Sequence, residues 1–152
     1  MHSTTSPGGW FKPLVVLAIL WNGMGIYNFY AQLTISTENI AKLPASEQAL
    51  MTDVPLWTTI AFAIGVFGGT LGSIGLLIQK AWAKVPLLLS FVAVFFQMGY
   101  WLFFTTAVEV YGPTTYFMPI VVILVAYLLL KLCLDHQIFE RYHKYQLKSG
   151  YT

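Results

Sequence analysis

Charged residues are scarce in this sequence of 152 residues: they make up 9% of the chain, whereas soluble domains carry about 25%. Hydrophobic residues make up 57%. A folded domain in water needs far more polar surface than this, so the composition predicts an integral membrane protein. The net charge is only +2 and no long basic block is present, which excludes a typical nucleic-acid-binding protein.

Residues that carry chemistry are also few. The single cysteine, Cys133, excludes an internal disulfide, and its apolar surroundings are typical of a small buried hydrophobe. The predicted spans contain no Asp, Glu or His, which argues against an ion-coupled carrier and against a haem held between helices. No GxSxG, HExxH or phosphate-binding glycine loop occurs. We therefore expect no enzyme activity, no cofactor and no metal site.

Four long apolar runs predict an all-α fold, an antiparallel four-helix bundle in the membrane. Each run is long enough to cross the ~30 Å hydrocarbon core as a helix. The predicted spans are residues 13–33, 55–78, 85–107 and 114–134. Residues 1–134 would then form one transmembrane domain, and residues 135–152 a cytoplasmic tail. In the long loop, Ser36 or Thr37 is expected to cap a short helix that ends before Pro44, with a second short helix after it.

Basic residues are distributed unequally between the two ends of these spans. One side has Lys12, Lys80, Lys84, Lys131, Arg141, Lys144 and Lys148, and the other side has only Lys42. Cytoplasmic loops of membrane proteins carry an excess of Lys and Arg. The bias therefore predicts that both termini are cytoplasmic and that the long loop is periplasmic.

The second span carries five glycines on one face. They are Gly65, Gly68, Gly69, Gly72 and Gly75. At 100° per residue they fall within about 120° of the helix circumference. Small residues on one face let another helix approach closely, and Gly65/Gly69 and Gly68/Gly72 are GxxxG pairs. We expect this face to pack against another helix, within the bundle or at a subunit contact.

Six amide and indole side chains are the remaining polar candidates within the spans. They are Trp21, Asn22, Asn28, Gln32, Gln97 and Trp101. Two interpretations stay open. In the first they bond neighbouring helices and act as interhelical glue, at roughly 0.6 kcal/mol per bond. In the second they form a polar pocket for a neutral ligand such as a sugar or a lipid headgroup.

The C-terminal tail has an amphipathic pattern. No Gly or Pro lies between Tyr127 and Lys148, so the fourth span is expected to continue as a helix to about Gln146. Its apolar stripe is formed by Ile138, Tyr142 and Tyr145. This stripe is expected to rest on an anionic membrane surface or on a partner. The residues His136, Glu140 and His143 share a further face, but one helix supplies too few fixed ligands to hold a metal.

Several segments of the chain resemble a family of small bacterial inner-membrane proteins. They are WNGMGIYNFYAQ, AKLPASEQALMTDVPLW, AFAIGVFGGTLGSIGLLIQKAWA, LSFVAVFFQMGYWLF and EVYGP. Together they lie within about residues 14–127. Members are usually described as hypothetical proteins or, loosely, as sugar transporters. The resemblance implies a bacterial inner-membrane location and brings no catalytic residues.

Two functional hypotheses follow. In the leading one, the chain is a non-enzymatic accessory or structural subunit of the bilayer. It packs through the glycine face with itself, as a homo-oligomer, or with a larger membrane assembly. The alternative is a carrier for a small sugar-like solute or a lipid, working as an oligomer.

Overall fold

The computed structural model describes the backbone of residues 9–149 and the side chains of residues 9–136. This part of the chain is helical, and no strand occurs in it. The helices are α1 (Phe11–Thr34), α2 (Thr37–Ala41), α3 (Ala45–Thr52), α4 (Leu56–Leu77), α5 (Lys84–Phe103), α6 (Ala107–Tyr111) and α7 (Phe117–Ser149). Two 3₁₀ turns, Ala81–Ala83 and Pro113–Tyr116, precede α5 and α7.

Four helical segments in the described chain are long and apolar enough to cross a membrane. They are Phe11–Thr34, Leu56–Leu77, Ala81–Phe103 and Pro113–His136. The predicted all-α architecture with four apolar helices is therefore confirmed. Large apolar side chains such as Leu20, Phe96 and Ile120 are exposed on the outside of the bundle. An apolar exterior of this extent suits contact with lipid better than contact with water.

Helix α4 lies at the centre of the bundle. Half of its most apolar window (50%) is buried inside the protein, against 11% to 17% in the other three spans. Most of its contacts are with α5 and α1, while α7 packs chiefly on α5. The spans therefore neighbour one another in the order α1, α4, α5, α7.

The four spans converge at one end of the bundle. A core cluster there takes residues from every span and from the turn before α5: Phe11, Val15, Ala18, Leu76, Ala83, Leu87, Leu129 and Cys133. The ring of Phe11 also stacks on His136, with centroids 5.4 Å apart. This end contains the start of α1 and the end of α4. It is closed by tight apolar packing.

The turn between α4 and α5 is short and well hydrogen-bonded. The backbone N–H of Lys80 donates to the carbonyl of Gly75 (2.8 Å), and that of Gln79 donates to Leu76 (3.0 Å). These two bonds form a Schellman motif, and Gln79, with φ of 57°, takes the left-handed position that glycine usually occupies. The chain is thereby reversed within a few residues, which makes α4 and α5 antiparallel neighbours.

Helix α5 ends at Phe103, four residues before the predicted end of the third span. The hydroxyl of Thr105 donates to the carbonyl of Trp101 (2.6 Å) and accepts from the N–H of Ala107 (3.3 Å), where α6 begins. Threonine side chains that bond the local backbone compete with helix continuation. The apolar run is therefore split into α5 and the short helix α6.

The two other local predictions concern the caps and the tail. Ser36 accepts a hydrogen bond from the N–H of Asn39 (3.2 Å) and caps α2 as expected. The backbone of α7 continues without interruption to Ser149, slightly beyond the expected end at Gln146. The side chains of the tail stripe (Ile138, Tyr142, Tyr145) and those of Glu140 and His143 lie outside the described residues.

Candidate functional site

The glycine face of α4 is filled by helices of the same chain. A Cβ added at Gly68 would lie 2.9 Å from the carbonyl oxygen of Pro86, and one added at Gly65 would lie 2.9 Å from Val94 Cγ2. The same construction at Gly72 meets Leu87, and at Gly75 it meets Ala83 and Trp82. All of these neighbours belong to α5 or to the turn before it. Close approach of α4 and α5 therefore requires glycine at these positions.

Gly69 faces a different neighbour, the amide of Asn22 on α1. A Cβ at Gly69 would collide with Asn22 Oδ1, and it would also lie 3.2 Å from Ser90 Oγ. Asn22 donates through Nδ2 to the carbonyl of Ala18 in its own helix (2.9 Å). The glycine thus lets the amide fit between α1 and α4.

The remaining polar candidates divide according to their position along the bundle. Asn28, Gln32, Gln97 and Trp101 line one cavity. Trp21 and Asn22 do not line it. Among the described residues, none of the six side chains makes a hydrogen bond to another helix. The glue interpretation requires such bonds, so the arrangement does not support it. Ser90 does make a hydrogen bond between two of the spans: its hydroxyl donates to the carbonyl of Gly65 (2.6 Å).

The cavity lies at the end of the bundle opposite the closed core. It is half open, has a volume of about 950 Å³, and falls within the range of small-molecule sites, which is about 300–1,000 Å³. Its walls come from the last turns of α1, the first turns of α4, the last turns of α5 and the first turns of α7. Helices α3 and α6 border it as well.

Gln97 is the most unusual residue in the wall. Its Oε1 atom is buried and has no hydrogen-bond partner among the described residues. A buried acceptor without a donor costs about 1–3 kcal/mol. Rotation of the terminal amide toward the cavity would let a hydroxyl or N–H of a bound molecule satisfy it.

Aromatic rings form much of the wall on the α5 side. Tyr100 packs edge-on against Trp57, with centroids 5.0 Å apart, and stacks almost parallel on Phe104 at 5.9 Å. Tyr100, Trp101 and Phe104 all line the cavity, and so does Phe62 of α4. Because neighbouring rings hold Tyr100 on two sides, this aromatic wall is preorganised.

One hydrogen bond joins the two short helices that border the cavity. The hydroxyl of Tyr111 on α6 donates to Glu47 Oε2 on α3 (3.3 Å). Partial burial raises the pKa of Tyr111 above its ordinary value of 10.0, and the negative charge and hydrogen bond of Glu47 raise it further. Tyr111 is therefore held as the neutral phenol that can donate this bond.

The charge of the cavity wall has one sign. Among the described residues that line it, Asp53 is the one carboxylate, and no Lys, Arg or His is present. Within the described part of the chain, no group of three or more His, Cys, Asp or Glu side chains is placed to hold a metal ion. The wall is otherwise made of amides, hydroxyls, rings and aliphatic groups.

Sequence reasoning missed Asp53 and the Tyr111–Glu47 pair as contributors to the cavity, and it missed the hydrogen bond that Ser90 makes between α4 and α5. Ser90 shares a helical face with Gln97 and Trp101, so its inward position could be predicted from the sequence, but its acceptor on α4 could not.

Comparison of the chain with protein-family models, with curated proteins and with solved structures finds no match.

Proposed function

We propose that this chain is an integral membrane protein that binds a small amphipathic molecule in the cavity between its four spans. The observation that carries the proposal is the convergence of Asn28, Gln32, Gln97 and Trp101 on one half-open cavity, with the Gln97 Oε1 buried and unbonded among the described residues. Apolar walls with a few polar groups are the usual composition of ligand sites. Of the two sequence hypotheses, this supports the one with a solute or lipid ligand.

The subunit hypothesis depended on a glycine face that is open to a partner. That face is occupied by α5 and by Asn22 of the same chain. Association with a second copy or with a larger assembly would have to use the exposed apolar surface of the other helices. No described contact favours a particular part of that surface.

We further propose that the protein is not an enzyme and that it lies in a bacterial inner membrane with both termini in the cytoplasm. The bias of basic residues supports this orientation. The cavity then opens toward the periplasmic side, while the packed core around Val15, Leu87 and Cys133 closes the cytoplasmic side. A ligand would enter from the periplasm or from the outer leaflet of the membrane.

Photoaffinity labelling tests the binding proposal. The protein is placed in phosphatidylcholine nanodiscs and irradiated with octyl glucoside that carries a diazirine in its chain, and the modified residues are mapped by mass spectrometry. We expect modification to concentrate on cavity residues such as Phe62, Met98 and Met118. Equal modification of lipid-facing residues such as Leu17 and Phe96 would contradict the proposal.

Two variants of α3 provide a matched control. Ala49 and Ala45 are both exposed and lie one turn apart, but only Ala49 lines the cavity. Ala49→Trp should fill the mouth and reduce labelling of the cavity. Ala45→Trp should leave the labelling unchanged.

Gln97→Leu separates a binding role from a packing role. Because Oε1 has no partner among the described residues, replacement by an apolar group of similar size should not lower the thermal stability. It should nevertheless weaken labelling by the glucoside. A large loss of stability would instead support the glue interpretation.

A further inference from the structure

We infer that the preferred ligand of this cavity is an organic cation with an apolar body, an alkylammonium compound. The inference rests on the proposed function, because it names the ligand class of that same cavity. Two independent features carry it: the distribution of charge around the mouth and the aromatic composition of the wall.

Acidic residues outnumber basic ones on the segments around the mouth. The segments between α1 and α4 and between α5 and α7 carry Glu38, Glu47, Asp53 and Glu109, against Lys42 alone. Lys42 is already paired with Glu38 (2.8 Å). Glu47, Asp53 and Glu109 therefore have no basic partner among the described residues. Glu47 accepts a hydrogen bond from Tyr111, which lines the cavity, and Asp53 itself lines the cavity.

This arrangement favours one sign of ligand charge. A cleft with low-dielectric walls and uncompensated charge at its mouth concentrates counter-ions there. An anionic headgroup would meet Asp53 with no cation among the described lining residues to balance it. A neutral headgroup would gain hydrogen bonds but no Coulomb attraction.

The aromatic wall adds a second reason for a cation. Tyr100, Trp101 and Phe104 lie at the end of α5, at the same end of the cavity as Asp53. The face of a Trp ring attracts ammonium groups, and Trp101 would supply it here, because Tyr100 is already stacked on Phe104 and packed against Trp57. Farther from the mouth along α4 and α5, Phe62 and Met98 offer an apolar surface for the body of the ligand. The positive end would then lie at the mouth, between the rings and the carboxylate.

Competition against the photoreactive glucoside tests this inference with probes that share one chain. Decylammonium, decanol and decanoate are compared in phosphatidylcholine nanodiscs at neutral pH, with each concentration corrected for partition into protein-free nanodiscs. Decylammonium should displace the glucoside at about tenfold lower concentration than decanol, from the combined Coulomb and cation–π contributions. Decanoate should be the weakest competitor. High salt should reduce the preference for the cation.

Variants of the wall identify the source of the preference. Asp53→Asn should raise the concentration of decylammonium that displaces the glucoside by about three- to fivefold, and it should leave that of decanol unchanged. Trp101→Leu keeps an apolar side chain. It should raise the displacing concentration of decylammonium by about two- to fivefold, because the cation–π contact is lost. Glu38→Gln changes the net charge by the same amount as Asp53→Asn but lies outside the cavity wall. Because Glu38 is paired with Lys42 and does not line the wall, this variant should weaken the competition by decylammonium less than Asp53→Asn does, and it should leave decanol unchanged.

Two results would overturn the inference, and they differ in what they say about the proposed function. If the glucoside labels the cavity but decanol competes as well as decylammonium, the site binds amphiphiles without reading their charge. If the glucoside does not label the cavity at all, the proposed function itself fails.

Discussion

The hydroxyl of Ser90 on α5 donates a hydrogen bond to the backbone carbonyl of Gly65 on α4, at 2.6 Å, in the buried centre of the bundle. The glycine makes this bond possible, because a larger residue would hold the helices apart. The carbonyl of Gly65 also accepts a backbone hydrogen bond within α4. Because a carbonyl oxygen has two lone pairs, it can accept the serine hydroxyl as a second donor. This bond and the glycine face fix the register of α5 on α4.

Ser90→Ala should lower the free energy of unfolding by roughly 0.6 kcal/mol, the average for interhelical bonds in membranes. Thermal unfolding in detergent, followed by circular dichroism, measures the change. Thr70→Val is the matched control, because the Thr70 hydroxyl bonds Val66 within its own helix. An equal loss in both variants would show that the α4–α5 bond has no special effect.

Substitutions of glycine separate helix contact from helix propensity. A Cβ at Gly68 would lie 2.9 Å from the backbone oxygen of Pro86, which cannot rotate away, whereas a Cβ at Gly99 would meet no atom within 4 Å. Gly68→Ala should therefore destabilise the protein by about 1–3 kcal/mol through overpacking.

Gly99→Ala is the control, and it should be neutral or stabilise α5 by about 0.5–1 kcal/mol, because alanine favours the helix. The same unfolding measurement covers both variants. If Gly68→Ala behaves like Gly99→Ala, the close approach of α4 and α5 does not limit stability.

The sequence predicted which helices form better than it predicted where each of them ends. Long apolar runs and the Ser36 cap were sufficient to predict the four spans and α2. The early end of α5 was not predicted, because Thr105 is almost neutral in hydropathy and its effect comes from a hydrogen bond to Trp101.

The amide stripe of α1 shows why the site was only partly predictable. Trp21, Asn28 and Gln32 share one helical face, at i, i+7 and i+11, whereas Asn22 lies about 100° from Trp21 around the helix. Trp21 shares that face with Asn28 and Gln32 but does not line the cavity, and Asn22 contacts Gly69 of α4 instead. Periodicity defines a face, but it carries no information on how far the neighbouring helix is from it.

The proposed orientation can be tested with two cysteines on opposite sides, introduced after Cys133→Ala removes the native thiol. Ser46 of α3 and Lys80 of the α4–α5 turn are both exposed. In intact spheroplasts an impermeant maleimide should modify Ser46→Cys and should modify Lys80→Cys only after permeabilisation. The reverse pattern would invert the topology and place the cavity mouth in the cytoplasm.

The contact between α3 and α6 should depend on pH through Tyr111, which lies outside the spans. Its pKa is raised in the folded protein, first by partial burial and then by the charge and hydrogen bond of Glu47. A raised pKa means that the stabilisation is fully present below the ordinary value of 10.0 and is lost as the pH rises through the folded value. Above that value the phenolate faces the Glu47 carboxylate, and the two charges repel.

Ultraviolet titration of the wild type minus Tyr111→Phe isolates the phenol of Tyr111. We expect its midpoint above 10.0, the ordinary value. Glu47→Gln should move the midpoint down toward that value, because the charge is removed while the burial remains. Glu38→Gln removes an equal charge that is already paired with Lys42, and it should leave the midpoint in place. If both variants shift the midpoint equally, the effect is general electrostatics and Glu47 is not the partner that holds α6 against α3 at the mouth of the cavity.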